Sequence, residues 1–363
     1  MRLQFGLSLL LIVIASYVGD DKCLSCHEKQ RTYLTTAHHL TSQPATSTSI
    51  AGSFVAGKNI LRTQRELLYR MEARNDGFFQ TGVLGTPPET LSVSERFDLV
   101  IGSGRKGQTY LYWNRDDQLF QLPVSYWTEV ASWVNSPGYG DRSLDFGRPV
   151  PPRCLECHAS YFEAVNDAVN RYRRTGYVLG VSCERCHGPG ERHVELNAPG
   201  SPKPVDQAIV NPAKLPRGRQ LALCSLCHGG VGVAKRPAFS FTAGDALEDF
   251  LTLEIPKETE SLDVHGNQIA LLERSKCFKS SAMTCSTCHD THQRQRDAGQ
   301  FSDKCLACHK VESCGLFPKR GHAIAGKCVD CHLPNQTSNV IFSTHDGTRI
   351  LPKVRNHWIK VYR

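Results

Sequence analysis

The chain has 363 residues, 16 Cys, 15 His and a formal net charge of +8. This length allows two domains or one large one, and 15 Phe, 11 Tyr and 4 Trp argue against a disordered chain. Fourteen of the 16 cysteines fall into seven copies of Cys-x-x-Cys-His. Because these pairs are tight and repeated, they exclude the small secreted scaffold that depends on disulfides.

Residues 1–15 are predicted to form a secretory signal. Arg2 supplies the positive end, Leu7 to Ala15 form a short apolar run, and small residues follow at the positions that a signal peptidase reads. The alternative is an uncleaved N-terminal anchor, although the run is shorter than the roughly 20 residues of a membrane span. Either form exports the protein to the periplasm or the extracellular side. No other segment is apolar enough to span, so membrane association is expected only through the N-terminus.

The seven motifs divide the chain unevenly. Motif 1 lies alone in an N-terminal segment, residues 16–49, and motifs 2 to 7 lie in residues 151–363. The cysteines of motifs 1 to 7 are, in order, Cys23 and Cys26, Cys154 and Cys157, Cys183 and Cys186, Cys224 and Cys227, Cys285 and Cys288, Cys305 and Cys308, and Cys328 and Cys331.

Residues 50–150 contain no cysteine and are predicted to form a β-rich insert. Asn75-Asp76-Gly77 is a strong hairpin signal between two strand-like runs, and Asn114 to Asp117 marks a second hairpin. From residue 151 onward we expect a mainly α and irregular fold with little sheet, including a short helix from Tyr161 to Arg174.

The motif predicts covalently bound haem c. Two cysteines three positions apart reach the two vinyl groups of one haem as thioethers, and the next residue, His, supplies the proximal iron ligand. Structural zinc does not require a His after every pair, and a thioredoxin-type pair occurs once rather than seven times. We therefore expect seven haems c. Their proximal ligands are His27, His158, His187, His228, His289, His309 and His332.

The positive charge is then explained without nucleic acid. A ferric haem with two ionised propionates carries about one net negative charge, so seven haems offset most of the +8. The basic side chains are better interpreted as partners of propionates, and no nucleic-acid partner is expected.

Eight histidines outside the motifs are available as distal ligands, and with only 3 Met in the chain bis-His ligation is the default. Candidate distal ligands are His38, His39, His193, His265, His292, His322 and His345, with His357 as the weakest. His193, His292 and His322 lie too close to a motif to reach round the same haem, so each should serve a neighbouring one. Cys277 and Cys314 lie outside the motifs and form a disulfide, remain buried thiols, or contact a haem or metal.

These residues resemble the cytochrome c-554-type multihaem cytochromes, the broad group that includes hydroxylamine oxidoreductases and pentahaem nitrite reductases. The resemblance is carried by Gly180 to Gly190 with His193, by Met283 to His292 followed by motif 6, and by motif 7 after His322. It implies stacked haem pairs, export and electron transfer. No Cys-x-x-Cys-Lys motif, the mark of the catalytic haem in the pentahaem nitrite reductases, is present.

Three functions follow as hypotheses. The first is an electron carrier between redox protein partners, either quinol-linked or soluble. The second is an oxidoreductase in which one iron, that of His27 or His158, is open to a small nitrogen or sulfur compound, with the insert as a wall. Tyr110, Tyr112, Trp127, Tyr139 or Arg148 would lie near that pocket. The third is a subunit of a larger cytochrome assembly.

Overall fold

The computed structural model describes residues 17–63, 66–140, 142–165, 168–201, 208–253, 262, 264–345 and 347–362. The predicted signal segment, residues 1–15, lies outside the described residues. In the part of the chain that is described, no helix is both long and apolar enough to cross a bilayer.

The helices are short. The α-helices are α1 (Asp20–Leu24), α2 (Pro152–His158), α3 (Cys183–His187), α4 (Glu191–Leu196), α5 (Arg217–His228), α6 (Gln268–Leu272), α7 (Lys276–Lys279), α8 (Ala298–Leu306), α9 (Phe317–Arg320) and α10 (Cys328–His332). Stretches of 3-10 helix run over Glu28–Thr35, His39–Thr41, Pro212–Lys214, Leu247–Asp249, Cys285–Thr287, Val311–Ser313 and Gly321–Lys327.

Strands occur along the whole chain. Those of the insert and its flanks are β1 (Ser42–Pro44), β2 (Ile60–Arg62), β3 (Leu67–Arg74), β4 (Gly77–Thr86), β5 (Glu89–Arg96), β6 (Leu99–Ile101), β7 (Gly107–Trp113), β8 (Leu119–Gln121), β9 (Val124–Trp127), β10 (Ser132–Asn135) and β11 (Arg148–Pro149). Those that follow are β12 (Ala159–Tyr161), β13 (Val178–Leu179), β14 (Val233–Ala234), β15 (Leu251–Thr252), β16 (Asn335–Thr337), β17 (Ser343–His345), β18 (Thr348–Ile350) and β19 (Lys353–Arg355).

The prediction of a mainly α and irregular fold is wrong. Strands make up 26% of the chain and helices 29%. Four two-stranded antiparallel ribbons, β12 with β13, β14 with β15, β16 with β19 and β17 with β18, lie in the region where little sheet was expected. Pairing in these local ribbons satisfies the backbone hydrogen bonds of stretches that lie outside the short helices.

The helix predicted from Tyr161 to Arg174 is also wrong. Tyr161 ends β12, and further along the backbone Ala164 forms an antiparallel bridge with Tyr172. Tyr172 is fully buried, and its ring packs edge-on against Phe162. The aromatic side chains of this stretch therefore join the core of the neighbouring sheet, which overrides their helical spacing.

The two hairpins predicted in the insert are confirmed. β3 and β4 pair antiparallel with Arg74 opposite Gly77, and β7 and β8 pair with Trp113 opposite Leu119. Strands β2, β3, β4 and β5 form one four-stranded sheet in chain order. The second sheet has seven strands: β1, β6, β7, β8 and β11 follow one another, β9 pairs with β7, and β10 pairs with β9.

The first core fills the space between these sheets. Alternate residues of β3 point inward, so Leu67, Tyr69 and Met71 are each at most 2% exposed. They share one apolar cluster with Phe97 and Trp133. Such burial is worth roughly 1.5–3 kcal/mol per large side chain, which gives the insert a core of its own.

A second core joins the seven-stranded sheet to motif 2. Leu99, Leu111 and Leu119 of the sheet cluster with Leu155, which lies inside motif 2 and is 1% exposed. Tyr172 closes the same cluster. The sheet therefore packs directly on a Cys-x-x-Cys-His helix and fixes its position.

Candidate haem-binding sites

Each motif forms a helical turn. Motifs 2, 3, 4 and 7 lie within α2, α3, α5 and α10. In the other three motifs the amide of His27, His289 or His309 donates to the carbonyl oxygen of the first cysteine at 2.9 Å. Residues three and four apart share one face of such a turn, so both thiols and the imidazole of a motif point to the same side.

Four motif histidines each face a histidine from elsewhere in the chain. The ring centroids lie 6.3 Å apart for His27 and His193, 6.0 Å for His38 and His228, 6.1 Å for His187 and His292, and 6.3 Å for His289 and His357.

This spacing fits one iron between each pair of rings. A metal–imidazole bond is about 2 Å long, as in zinc sites, and the centre of a five-membered ring lies about 1 Å from its nitrogens. Two imidazoles on opposite faces of one iron therefore have centroids roughly 6 Å apart.

The partners in these pairs come from distant parts of the chain. His193 and His292 follow motifs 3 and 5 but face the histidines of motifs 1 and 3. His38 follows motif 1 and faces motif 4. His357, the weakest candidate from sequence, faces motif 5. No local spacing marks His357, because its partner is 68 residues away in the numbering.

The remaining non-motif histidines lie in different surroundings. His265 is close enough to His158 to lower the pKa of His158, after burial as the larger cause. His39 Nδ1 lies 3.1 Å from Asp20 Oδ2. His322 is exposed, with Nε2 3.9 Å from Glu312 Oε1, and His345 ends β17.

Hydrogen bonds orient several of these imidazoles. His187 Nδ1 donates to the carbonyl oxygen of Val210 at 2.8 Å, and His332 Nδ1 donates to that of Lys360 at 2.8 Å. His357 Nδ1 does the same to Arg355 at 3.1 Å. Because a carbonyl only accepts, the proton is on Nδ1 and the lone pair of Nε2 is free for a metal.

Burial also keeps these imidazoles neutral. It lowers the pKa of His158, His228 and His357 to about 4 in each case. Burial likewise lowers the pKa of His38 and His289. A neutral imidazole is the form that ligates iron, so the surroundings favour the ligating state at neutral pH.

The variable positions of motif 2 hold a buried ionic group that sequence reasoning missed. Glu156 Oε2 accepts from Arg153 Nη1 at 2.8 Å, and Glu156 Oε1 accepts from the amide of Phe239 at 2.8 Å. Arg185, a variable residue of motif 3, lies 3.6 Å from Glu156. The sequence signal for this ionic group was the presence of charged residues between the two cysteines of a motif.

Glu184, in motif 3, anchors the N-terminal segment. Its carboxylate accepts the backbone amides of Val18 and Gly19 at 2.9 Å and of Gly190 at 2.8 Å. The side chain is buried, and the residue is 2% exposed. Beside it, Asp20 Oδ1 accepts the amide of Cys183 at 2.9 Å, so motifs 1 and 3 are held together by two carboxylates.

The motif helices pack on one another in a fixed order. Helix α1 contacts α3, α2 contacts α5, α5 contacts the 3-10 helix Cys285–Thr287, and α8 contacts α10. Motif 1 therefore neighbours motif 3, motif 4 neighbours motifs 2 and 5, and motif 6 neighbours motif 7.

Thiol contacts repeat this order. The thiol of Cys23 contacts the thiol of Cys183, and the thiol of Cys157 contacts the thiol of Cys227. The pKa of Cys224 is raised by contact with Cys285, by burial and by the nearby Cys186 of motif 3. The chain of neighbours thus also links motif 3 to motif 4.

Motif 5 is linked to motif 6 through an aromatic contact. The ring of His289 lies 5.1 Å, centroid to centroid, from the ring of Phe301 in α8. Helix α8 carries Cys305, the first cysteine of motif 6.

Four of the side chains suggested as a pocket wall make contacts within the insert. The hydroxyl of Tyr110 donates to Gln108 Oε1 at 3.1 Å, and that of Tyr112 donates to the carbonyl of Phe146 at 2.7 Å. Arg148 lies over the ring of Tyr139. The ring of His27, whose iron was one of the two suggested as open, lies 6.3 Å, centroid to centroid, from the ring of His193.

Cys277 and Cys314 are both free and half-buried, so the disulfide considered from the sequence is not formed. Cys277 lies near motifs 5 and 6, where it contributes to raising the pKa of Cys288 and Cys305, after burial as the main cause. Among the described residues, no group of three or more His, Cys, Asp or Glu side chains is arranged to hold a metal ion.

Comparison with known proteins finds similarity to cytochromes. The model of a family described as cytochrome c554 and c-prime matches residues 142–188. The C-type polyheme cytochrome OmcC of Geobacter sulfurreducens is 26% identical in an alignment 224 residues long, which covers 54% of this chain and 28% of OmcC. The chain thus spans less than a third of that relative.

One solved structure shows a related fold. The crystal structure of the outer cell wall cytochrome OcwA superposes with a TM-score of 0.58 at 16% identity, over 95% of this chain and 79% of OcwA. A lower TM-score, 0.41 at 17% identity, relates 96% of the chain to 52% of an undecaheme cytochrome from the S-layer of Carboxydothermus ferrireducens. The motifs together with the family match, OmcC and OcwA support a multihaem c-type cytochrome with haem c as cofactor.

Proposed function

We propose that this multihaem c-type cytochrome carries electrons along seven covalently attached haems, most of them ligated by two histidines. The proposal depends above all on the four histidine pairs at 6.0–6.3 Å, each joining a motif histidine to a remote one. Two strong axial ligands leave an iron no site for substrate, so such irons suit electron transfer rather than chemistry on a bound molecule.

The fourteen motif cysteines would hold the haems, and the seven motif histidines would be the proximal ligands. A bound haem c supplies an iron that gains and loses one electron. The chain's own contribution is to fix the ligands by hydrogen bonds such as that of His187 to Val210, and to keep them neutral by burial.

We assign the distal ligands from the pairs. His193 serves the iron of motif 1, His292 that of motif 3, His38 that of motif 4, and His357 that of motif 5. His265 is assigned to motif 2 from its proximity to His158. His322 and His345 remain for motifs 6 and 7, and Asp20 holds His39 in a supporting position.

The order of neighbouring motifs defines a route. Electrons would pass through the haems of motifs 1, 3, 4, 5, 6 and 7, with the haem of motif 2 as a branch from motif 4. The helix contacts and the thiol contacts both support the steps between motifs 1 and 3, motifs 2 and 4, and motifs 4 and 5. The step from motif 3 to motif 4 is supported by the nearness of Cys186 to Cys224, the step from motif 5 to motif 6 by the ring contact of His289 with Phe301, and the step from motif 6 to motif 7 by the contact of α8 with α10.

Export and the partners complete the proposal. Residues 1–15 would direct the chain to the periplasm or the extracellular side, where haem is attached. The partners would be redox proteins, either quinol-linked or soluble carriers. The cytochrome domain of residues 151–363 would act with the N-terminal segment of residues 16–49, since motif 1 packs on motif 3.

The mass of the mature protein tests this function. Seven haem additions on a chain that starts after residue 15 are expected, together with a low-spin spectrum and full reduction by dithionite. Fewer than seven additions would refute the haem count. A dominant high-spin ferric signal that shifts with nitrite or hydroxylamine would favour the oxidoreductase instead.

A further inference from the structure

A basic surface covers the end of the chain of motifs. Residues 304–327 carry five cationic side chains and one carboxylate, that of Glu312. We call the five the basic cap. All are exposed: Lys304, Lys310, Lys319, Arg320 and Lys327.

The cations of the basic cap lack carboxylate partners, unlike several arginines elsewhere in the described chain. Near motif 2, Arg153 pairs with Glu156 at 2.8 Å and Arg173 pairs with Glu163 at 2.6 Å. Within the described part of the chain, none of the five cap residues forms an ion pair, and the contact of Glu312 is with His322. Asp303 and Asp330 flank the stretch, and Asp330 is paired with Arg355 at 3.3 Å.

The basic cap belongs to one packed unit that carries two motifs. Helices α8, α9 and α10 and the 3-10 helices Val311–Ser313 and Gly321–Lys327 contact one another. Cys308 of motif 6 and Cys331 of motif 7 are exposed, as are Cys26 of motif 1 and Cys154 of motif 2 at the other end of the order of motifs. Leu316, which is 45% exposed, adds an apolar side chain to the surface of this unit.

We propose that the basic cap docks an acidic electron-transfer protein, which exchanges electrons with the haem of motif 6 or motif 7. The inference rests on the proposed function and adds the site and the charge of the partner. One electron leaves the reduced cofactor of the partner and reduces one ferric haem to ferrous, with no bond made or broken. Unpaired surface cations at one end of a route steer an acidic partner and raise the association rate by 10-fold or more at low salt.

A charge-reversal variant tests the docking. Oxidised flavodoxin, an acidic protein, serves as the probe for binding without electron transfer, and reduced flavodoxin serves for stopped-flow rates. The variant is Lys310→Glu with Lys319→Glu and Lys327→Glu. The matched control, Lys58→Glu with Arg62→Glu and Arg70→Glu, changes the net charge equally on exposed residues of the insert.

The cap variant should bind flavodoxin at least about tenfold more weakly at low ionic strength, and its second-order rate should lose its salt dependence. The control should change either quantity less than about twofold. An equal loss in both variants would overturn the proposal, because net charge alone would then explain it. Unchanged binding with shifted haem potentials would also overturn it, because the cations would then pair with haem propionates. Failure of dithionite to reduce the wild-type protein would refute the proposed function instead.

Discussion

His38 and His228 meet at nearly a right angle: their ring planes are inclined by 77° at a centroid distance of 6.0 Å. The planes of His27 and His193 are inclined by only 22°, and those of His289 and His357 by 28°. The angle between two axial imidazoles sets how unequally they interact with the two dπ orbitals of one iron. Perpendicular rings leave these orbitals nearly equal in energy, which makes a low-spin ferric signal strongly anisotropic.

The haem of motif 4 should therefore stand apart in the electron paramagnetic resonance spectrum of the oxidised protein. We expect one strongly anisotropic low-spin signal from this haem beside the ordinary rhombic signals of the parallel pairs. His38→Met should remove that signal, while Thr35→Met, at an exposed position nearby, should keep it. Persistence of the signal in His38→Met would rule out His38 as the ligand.

Replacing a distal histidine by methionine should raise one midpoint potential. His357→Met and His292→Met are each expected to shift a single haem upward by on the order of 0.1 V, within the roughly 0.8 V that axial ligands cover. A redox titration followed by visible absorbance measures the shift. Val361→Met and Gln293→Met, at exposed neighbouring positions, are the controls and should leave every potential unchanged. An unmoved set of potentials in His357→Met would remove it from the ligands.

The Glu184 carboxylate should stabilise the junction of motifs 1 and 3. Glu184→Ala leaves the amides of Val18, Gly19 and Gly190 without their acceptor, so the free energy of unfolding should fall by about 2–4 kcal/mol. Urea unfolding followed by circular dichroism measures the loss. Glu195→Ala removes an exposed carboxylate paired with Arg192 and should cost less than about 1 kcal/mol. Equal effects would show that the buried hydrogen bonds add nothing.

Leu155 should couple motif 2 to the insert. Leu155→Ala opens a cavity in the core shared with Leu111 and Leu119, at an expected cost of about 2–5 kcal/mol. The matched control, Leu91→Ala, removes the same atoms at a position 59% exposed and should be nearly neutral. Urea unfolding again gives the difference, and a neutral Leu155→Ala would mean that the sheet and motif 2 do not share a core.

Short sequence patterns predicted the turns and hairpins correctly. The Asn75-Asp76-Gly77 and Asn114–Asp117 signals gave the two hairpins, because a turn is determined by the few residues within it. The helical turns of the motifs also follow from residues within five positions. In contrast, the Tyr161–Arg174 stretch depends on a remote sheet, and its aromatic residues pack there instead of forming a helix.

Local sequence patterns could not predict which remote histidine faces which motif histidine. The expectation that His193 and His292 serve neighbouring haems follows from the short chain between each histidine and its own motif, which cannot pass round the same haem. Which neighbouring haem each one faces depends on how the motif helices pack. His357 carries no signal at all in its own surroundings, since its partner His289 is brought to it by the fold. The sheet content of the haem region was underestimated for a different reason: its strands, such as β16 and β19, have only two or three residues, too few to leave an alternating pattern in the sequence.

The crossing of histidines between motifs has a consequence for maturation. His193 and His292 each belong to one motif by position and to another by contact, so a haem missing from motif 3 would also leave His292 without its metal and weaken the segment that follows motif 5. Loading and folding are therefore expected to proceed as one cooperative event. A chain that lacks one haem is therefore expected to be less ordered around two motifs rather than one.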